Sequence, residues 1–215
     1  MRFTLGLIIV NMMFFIAQIG YASAYNLPLV ADPFTQNFAL TPSIALSGAW
    51  WQFFTYMFLH ADFMHIFLNM FALFMFGVVM ERALGWKKYL SLYIAAGVGS
   101  ALFYILLTGI FLPAEAGGLM LGASGAVYGV LAAFGFMFPK EVIYIFPGIP
   151  LPAISAVFIF AAIELIFGLG NVMPGIANFG HLGGIITSAV IMLAWKYTSK
   201  PRTEKEMREY KFYWE

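Results

Sequence analysis

The 215-residue sequence contains no cysteine, which excludes a disulfide framework, a cysteine-based metal site and a thiol nucleophile. Charge is also scarce, because Asp, Glu, Lys and Arg make up 10% of the chain where soluble domains carry roughly 25%. Hydrophobic residues reach 62%, with a mean hydropathy of +0.88. The net charge of +1 provides no basic surface for nucleic acid. This composition predicts a multi-pass protein of the lipid bilayer with no nucleic-acid partner.

Long apolar runs define the predicted membrane spans, since a helix needs about 20 apolar residues to cross the hydrocarbon. The runs are continuously apolar rather than alternating, which argues against a transmembrane β-barrel. We therefore expect an all-α membrane protein with a six-helix core at residues 1–199 and a charged cytoplasmic tail at 200–215. The six predicted spans are 3–24, 64–83, 89–109, 119–138, 150–170 and 178–197.

The positive charges predict the orientation. All 11 Lys and Arg residues fall on one side of a six-span topology, and the other side carries only Asp32, Asp62 and Glu115. Positive loops face the cytoplasm, so both termini are predicted to be cytoplasmic. The compact chain, with no targeting extension, favours a bacterial cytoplasmic (inner) membrane.

The segment between the first two spans, residues 25–63, has no charge between its two aspartates and is rich in Pro and aromatic residues. It is too apolar for a solvated loop, so we expect it to lie in the outer interface of the membrane, partly helical. Ala22-Ser23-Ala24 resembles a signal-peptide cleavage site. However, the first apolar run is longer than the hydrophobic region of a signal peptide, and it contains Asn11 and Gln18. We expect this run to be retained as an anchor.

Several polar residues are predicted to share one depth in the membrane. Spans two, four and six all run from outside to inside, and each carries polar side chains near its start. These residues are His60, His65 and Asn69, then Ser124, then His181. Polar groups from three distant parts of the chain, converging on one layer below the outer face, are typical of an active site.

The residue types indicate acyl-transfer chemistry. A serine hydroxyl becomes a nucleophile when a neighbouring base takes its proton, and histidine titrates in the range that allows this. The three acids on the outer side do not adjoin His181 in the sequence, so we predict a Ser124–His181 dyad rather than a triad. The Asn69 side chain, the His65 ring and the Ser124 backbone N–H are candidate donors to an oxyanion.

Three motifs in order carry a family resemblance. They are His60-x4-His65-x3-Asn69 on span two, Gly122-x-Ser124-Gly125 followed by Tyr128 on span four, and Gly180-His181-x2-Gly184 on span six. Together they resemble the rhomboid intramembrane serine proteases, and the likeness covers essentially the whole six-span core. It implies hydrolysis of a peptide bond in or near the transmembrane segment of single-span substrate proteins, with no cofactor and no metal.

The resemblance also implies a role for each matching residue. Ser124 would be the nucleophile and His181 the general base, with His65, Asn69 and the Ser124 amide at the oxyanion hole. Tyr128 would pack on the His181 ring, Gly122 would allow a close approach at the helix start, and His60 would be structural.

At two further positions, the sequence matches the family pattern in one case and departs from it in the other. Glu81 matches an acid that ties helix ends together. Trp51-Gln52 departs from the usual Trp-Arg pair of the first loop, which leaves open how that loop is held. The first loop and span five would flank lateral access for the substrate.

Other readings of these residues remain open. The glycines near Ser124 and His181 also suit close helix packing in lipid. Histidines on two helices could bind a metal or haem, although no acid or cysteine completes a ligand set. Glu164, alone within span five, could carry ions in a transporter or serve a structural or gating role. An inactive rhomboid relative that only binds membrane proteins is a further alternative.

Overall fold

The computed structural model describes residues 1–112, 118–145, 148–172 and 177–198. Glu115 and the predicted tail at 200–215 lie outside the described residues. Within them, five helices are long and apolar enough to cross a membrane, and a sixth apolar helix is shorter. The predicted all-α membrane bundle is confirmed. The long helices are α1 (Arg2–Tyr25), α5 (Phe63–Leu84), α6 (Trp86–Phe111), α8 (Ala153–Gly170) and α9 (Asn178–Thr198), and the shorter one is α7 (Ser124–Met137).

The segment between α1 and α5 folds into short helical turns rather than an extended loop. These are α2 (Pro33–Phe38), α3 (Pro42–Leu46), α4 (Gln52–Thr55) and a 3₁₀ turn (Tyr56–Phe58). Asp32 caps α2 by accepting from the N–H groups of Phe34 and Thr35. Apolar side chains remain exposed here, including Trp50 at 72%, as expected of a segment that lies in the membrane interface.

The helix α7 is shorter than the predicted span at 119–138, because it begins only at Ser124 and has 14 residues. At 1.5 Å per residue it rises about 21 Å, less than the roughly 30 Å of hydrocarbon. Two features of the preceding residues explain why the helix begins only at Ser124. Met120 pairs through its backbone with Leu40, and Gly122 has a φ of +125°, which glycine adopts without strain.

A short helix is tolerated at this position because α7 lies at the centre of the bundle. It contacts α5, α6, α8 and α9, and most of its residues are buried. It is therefore surrounded mainly by other helices of the protein.

The predicted fifth span begins three residues later than expected. Residues 149–152 form the second strand of a hairpin, β1 (Val142–Ile145) with β2 (Ile149–Pro152), which pair antiparallel. Proline at 150 and 152 disfavours helix here, and α8 starts directly after Pro152. This hairpin, absent from the predicted all-α bundle, lies on the side of the molecule predicted to be cytoplasmic.

The start of α1 is held by Glu81 near the end of α5. The Glu81 carboxylate accepts from the N–H of Thr4 at 2.8 Å, from its hydroxyl at 2.7 Å and from the N–H of Phe3 at 3.2 Å. First-turn N–H groups have no partner within their own helix, so this carboxylate caps α1 from a neighbouring helix. This contact agrees with the helix-tying role implied for Glu81.

Candidate active site

The structure brings Ser124 and His181 into direct contact. Ser124 is the first residue of α7 and His181 lies in the first turn of α9. Ser124 Oγ is 2.7 Å from His181 Nε2, although the two residues are 57 positions apart in the chain. A hydroxyl that donates to Nε2 requires the proton of a neutral imidazole to be on Nδ1. The two residues predicted to act together thus lie within hydrogen-bond distance, and their catalytic role is taken up below.

Close packing of α7 against α9 makes this contact possible. A Cβ added at Gly184 would overlap the backbone carbonyl oxygen of Gly125 and lie 2.9 Å from its carbonyl carbon. A Cβ added at Gly129 would lie 3.2 Å from the Gly184 carbonyl oxygen. The glycines predicted as a packing motif therefore do pack helices, and the helices that they pack carry Ser124 and His181.

Donors for a developing negative charge surround the serine. His65 Nδ1 accepts from the Ala61 N–H at 3.3 Å, which leaves the ring proton of a neutral His65 on Nε2. A Cβ at Gly122 would lie 2.8 Å from that Nε2 and 3.6 Å from Ser124 Oγ, so the His65 ring and the serine flank the same glycine. Any side chain at residue 122 would fill this space.

Two further groups extend the donor set. The Ser124 N–H, at the first position of α7, has no partner within the helix, and the helix N-terminus favours negative charge. Asn69 donates to the His65 carbonyl at 2.8 Å and lines the same cavity. Its second amide hydrogen is available to a ligand.

Tyr128 lies against the catalytic candidate His181, as predicted. The two rings are stacked, with centroids 4.6 Å apart and planes 14° apart. This stacking restricts rotation of the imidazole about its side-chain bonds. The Tyr128 hydroxyl donates to Glu164 Oε1 at 2.7 Å.

Glu164, which the sequence placed within span five without a fixed role, lies in α8 beside His181. Its Oε1 lies 3.1 Å from His181 Nδ1, so an acid does adjoin His181. The prediction of a dyad considered only acids in the outer loops, and the role of this additional acid is taken up below. The sequence could have indicated this: Glu164 is the twelfth residue of α8, a span predicted to run toward the outer face, and this position predicts the same layer as Ser124.

A cavity of about 810 Å³ opens beside the serine and is large enough to admit water and a peptide segment. Its walls come from the first loop, α5, α7 and α9. Its polar lining residues include Gln36, Asp62, His65, Asn69, Ser124, Tyr128 and His181.

Gln52 holds the first loop, at the position where the family pattern has arginine. Its Oε1 accepts from the Thr41 N–H at 3.0 Å, and its Nε2 donates to the Asn37 carbonyl at 3.1 Å. The Trp51 ring N–H donates to the same carbonyl at 3.0 Å. A neutral amide therefore provides both a donor and an acceptor across the loop.

His60 is fully buried and packs edge-on against the His65 ring, with centroids 5.1 Å apart. Burial, together with the nearby His65, lowers the pKa of His60 to about 3, so the ring is neutral at physiological pH. Among the described residues, no group of three or more His, Asp or Glu side chains is arranged to hold a metal ion.

Comparison with known proteins assigns the chain to a family. A family model described as a Rhomboid domain matches residues 47–197. The chain is 32% identical over 212 residues to "Rhomboid protease AarA" of Providencia stuartii, covering 89% of this chain and 72% of that protein. It is 29% identical to "Rhomboid protease GluP" of Bacillus subtilis, covering 81% of this chain and 31% of that protein.

A plant protein is similar to this chain as well. The chain is 32% identical to "RHOMBOID-like protein 12, mitochondrial" of Arabidopsis thaliana, covering 77% of this chain and 52% of that protein. The chain thus spans most of AarA and about a third to a half of the other two. The matched region includes both Ser124 and His181. The chain belongs to the rhomboid family of intramembrane serine proteases.

Proposed function

We propose that this protein hydrolyses a peptide bond in or near the transmembrane segment of single-span membrane proteins, with Ser124 as nucleophile and His181 as general base. The observation that carries the proposal is the 2.7 Å contact between Ser124 Oγ and His181 Nε2 beside a cavity within the bundle. Membership of the rhomboid family supports the same activity. No cofactor is required by this chemistry.

The reaction proceeds in two steps. The Ser124 hydroxyl gives its proton to His181 Nε2 as its oxygen attacks the substrate carbonyl carbon, and the carbonyl oxygen becomes negative. The C–N bond then breaks and the leaving amine takes the proton from Nε2, which leaves an ester on Ser124. A water molecule attacks that ester with His181 again as base, releasing the new carboxyl end and restoring the serine.

The donors around the serine stabilise the negative oxygen. The Ser124 N–H, the His65 Nε2–H and the Asn69 amide adjoin the position where this oxygen would form. Removing one such donor costs roughly 3–4 kcal/mol of transition-state stabilisation in other serine proteases. We propose that the three act together here.

Substrate would reach the serine from the side. A transmembrane helix that unwinds near the outer interface presents an accessible carbonyl at the depth of the cavity, and α8 together with the first loop would flank its path. We further propose that the protein lies in a bacterial cytoplasmic membrane with both termini inside, because every Lys and Arg falls on one side of the topology.

The test is cleavage of a single-span model substrate by the purified protein in liposomes. We expect Ser124→Ala and His181→Ala each to reduce cleavage to background while the protein remains folded. The matched control is Ser91→Ala, since Ser91 is an exposed serine of α6 whose hydroxyl donates to the Lys88 carbonyl in its own helix turn. Normal cleavage by Ser124→Ala would contradict the proposal.

Labelling with a fluorophosphonate separates the protease from an inactive relative. The reagent reacts with an activated serine, so we expect covalent labelling of wild-type protein at Ser124 and none of the Ser124→Ala variant. A folded wild-type protein that neither labels nor cleaves would instead support a binding role.

A further inference from the structure

We infer that Glu164 is a positioning residue of the active site, which holds His181 in the orientation and tautomer that the reaction needs. This inference rests on the proposed function. It extends the Ser124–His181 pair to three residues by adding an acid from α8, a helix that supplies no other polar group to the pair.

The geometry places one carboxylate oxygen between two ring-bearing side chains. Glu164 Oε1 is 3.1 Å from His181 Nδ1 and 2.7 Å from the Tyr128 hydroxyl. Because the Tyr128 ring is also stacked on the His181 ring, the imidazole is restrained from its face and along one edge. Its remaining nitrogen, Nε2, is directed at Ser124.

The tautomer argument requires an acceptor at Nδ1. His181 can take the proton of Ser124 only if Nε2 is unprotonated, and the proton of the neutral ring is then on Nδ1. In the part of the chain that the structure describes, Glu164 is the acceptor that lies within reach of this nitrogen. A carboxylate there stabilises the required tautomer and the imidazolium that follows.

The N–H direction at Nδ1 is not yet aligned with Oε1 well enough for a regular hydrogen bond, although the two atoms are close. Catalytic hydrogen bonds are often poorly aligned before substrate binds and shorten in the reacting complex. A small rotation of the imidazole would align this one. The proximity, rather than the present angle, carries the inference.

The burial of Glu164 in a membrane helix also indicates that this acid has a functional or structural role. The residue is 7% exposed within a membrane helix, where an acid is costly unless it is paired. A structural role, joining α7 to α8 through Tyr128, is the competing explanation. The two differ in what they require: joining the helices needs only an acceptor for the tyrosine hydroxyl, whereas positioning needs a carboxylate facing Nδ1.

Replacing the acid by its amide separates these explanations. In Glu164→Gln the amide oxygen can occupy the Oε1 position, where it still accepts from Tyr128 and faces His181 Nδ1, but it carries no negative charge to stabilise the imidazolium that forms when Ser124 gives up its proton. We expect kcat to fall about 10²-fold with KM changed less than about twofold, a smaller loss than the roughly 10⁴-fold seen when the acid of a serine-protease triad becomes an amide. Glu164→Asp keeps the carboxylate and should recover part of the lost kcat.

The matched control is Glu141→Gln, the same change at a residue between α7 and β1. The length of α7 separates it from Ser124 by about 20 Å, so its kcat should equal that of wild-type protein. Thermal unfolding of each variant reports folding. A kcat of Glu164→Gln within twofold of wild-type would overturn the inference, as would a loss that a fall in folded protein fully explains.

A measurement on wild-type protein decides the matter if Glu164→Gln does not fold. The chain has three histidines, so ¹⁵N-histidine NMR can resolve the His181 ring nitrogens. A neutral ring with its proton on Nδ1 supports the inference, and a proton on Nε2 overturns it. Failure of the proposed function would look different, because wild-type protein and Glu141→Gln would then both fail to cleave.

Discussion

Replacing Gly184 by alanine tests whether close approach of α7 and α9 is what aligns Ser124 with His181. The added Cβ would overlap the Gly125 carbonyl oxygen and lie 2.9 Å from its carbonyl carbon and 3.4 Å from its Cα. These are backbone atoms of the first turn of α7, so no side-chain rotation relieves the overlap. The helices must move apart at the level of the serine.

The size of the effect follows from the overlap. Ordinary contact between a Cβ and a carbonyl oxygen needs more than 3 Å, so α7 and α9 must separate by about 1 Å, and overpacking of this kind costs about 1–3 kcal/mol of stability. The Ser124–His181 distance of 2.7 Å would lengthen beyond hydrogen-bond range. A displacement of about 1 Å in an active site can reduce the rate about 10²-fold.

The assay compares kcat for cleavage of a single-span substrate with the thermal unfolding midpoint. Gly109→Ala is the matched control, because Gly109 also lies within a long helix, α6, and an added Cβ there meets nothing within 4 Å. We expect Gly184→Ala to lose about 10²-fold in kcat and Gly109→Ala to retain wild-type values. Wild-type cleavage and stability in Gly184→Ala would refute the packing argument.

Two further predictions concern the first loop. Gln52→Ala removes both hydrogen bonds of this side chain and leaves the Thr41 N–H without its acceptor, whereas the Asn37 carbonyl keeps the Trp51 ring N–H. The free energy of unfolding should therefore fall by about 1–3 kcal/mol, and an unfolding midpoint equal to wild-type would contradict this. The pKa of His60 is lowered to about 3 in the folded protein, from about 6.5 in an unfolded chain, so the unfolded chain binds more protons and stability should fall as pH decreases below about 6.5. Unfolding midpoints measured from pH 7 to pH 4 should decline less steeply in His60→Leu than in wild-type, and equal slopes would show that His60 does not contribute.

The number of apolar helices and the grouping of the polar residues at one level of the bundle could be predicted from the sequence, because both depend on quantities that run along the chain. Apolar run length follows from the thickness of the hydrocarbon, and the grouping of all 11 Lys and Arg residues predicts the direction of each span. Direction and run length together predicted one layer for Ser124, His181 and His65. Five long helices begin and end within three residues of the predicted spans.

The short central helix could not be predicted in the same way. Hydropathy alone extends the fourth span back to residue 119, whereas the backbone pairing of Met120 with Leu40 depends on a segment about 80 residues away. Likewise, the sequence left open how Gln52 would hold the first loop, because its partners, the Asn37 carbonyl and the Thr41 N–H, are brought to it by the fold of that loop. In both cases the partner group comes from another part of the chain, and neither hydropathy nor a motif identifies it.

Apolar length and charge along the chain are enough to predict a membrane-embedded bundle with a serine and two histidines at one depth, because lipid imposes a simple linear constraint on both. Tertiary structure decided which of those groups touch. The contact between Glu164 and His181 depends on how α8 and α9 are rotated about their own axes, and this rotation is set by side-chain packing over the whole helix surface. The depth of a residue in the membrane follows from its position along the span, whereas the direction in which its side chain points depends on how the helix packs against its neighbours.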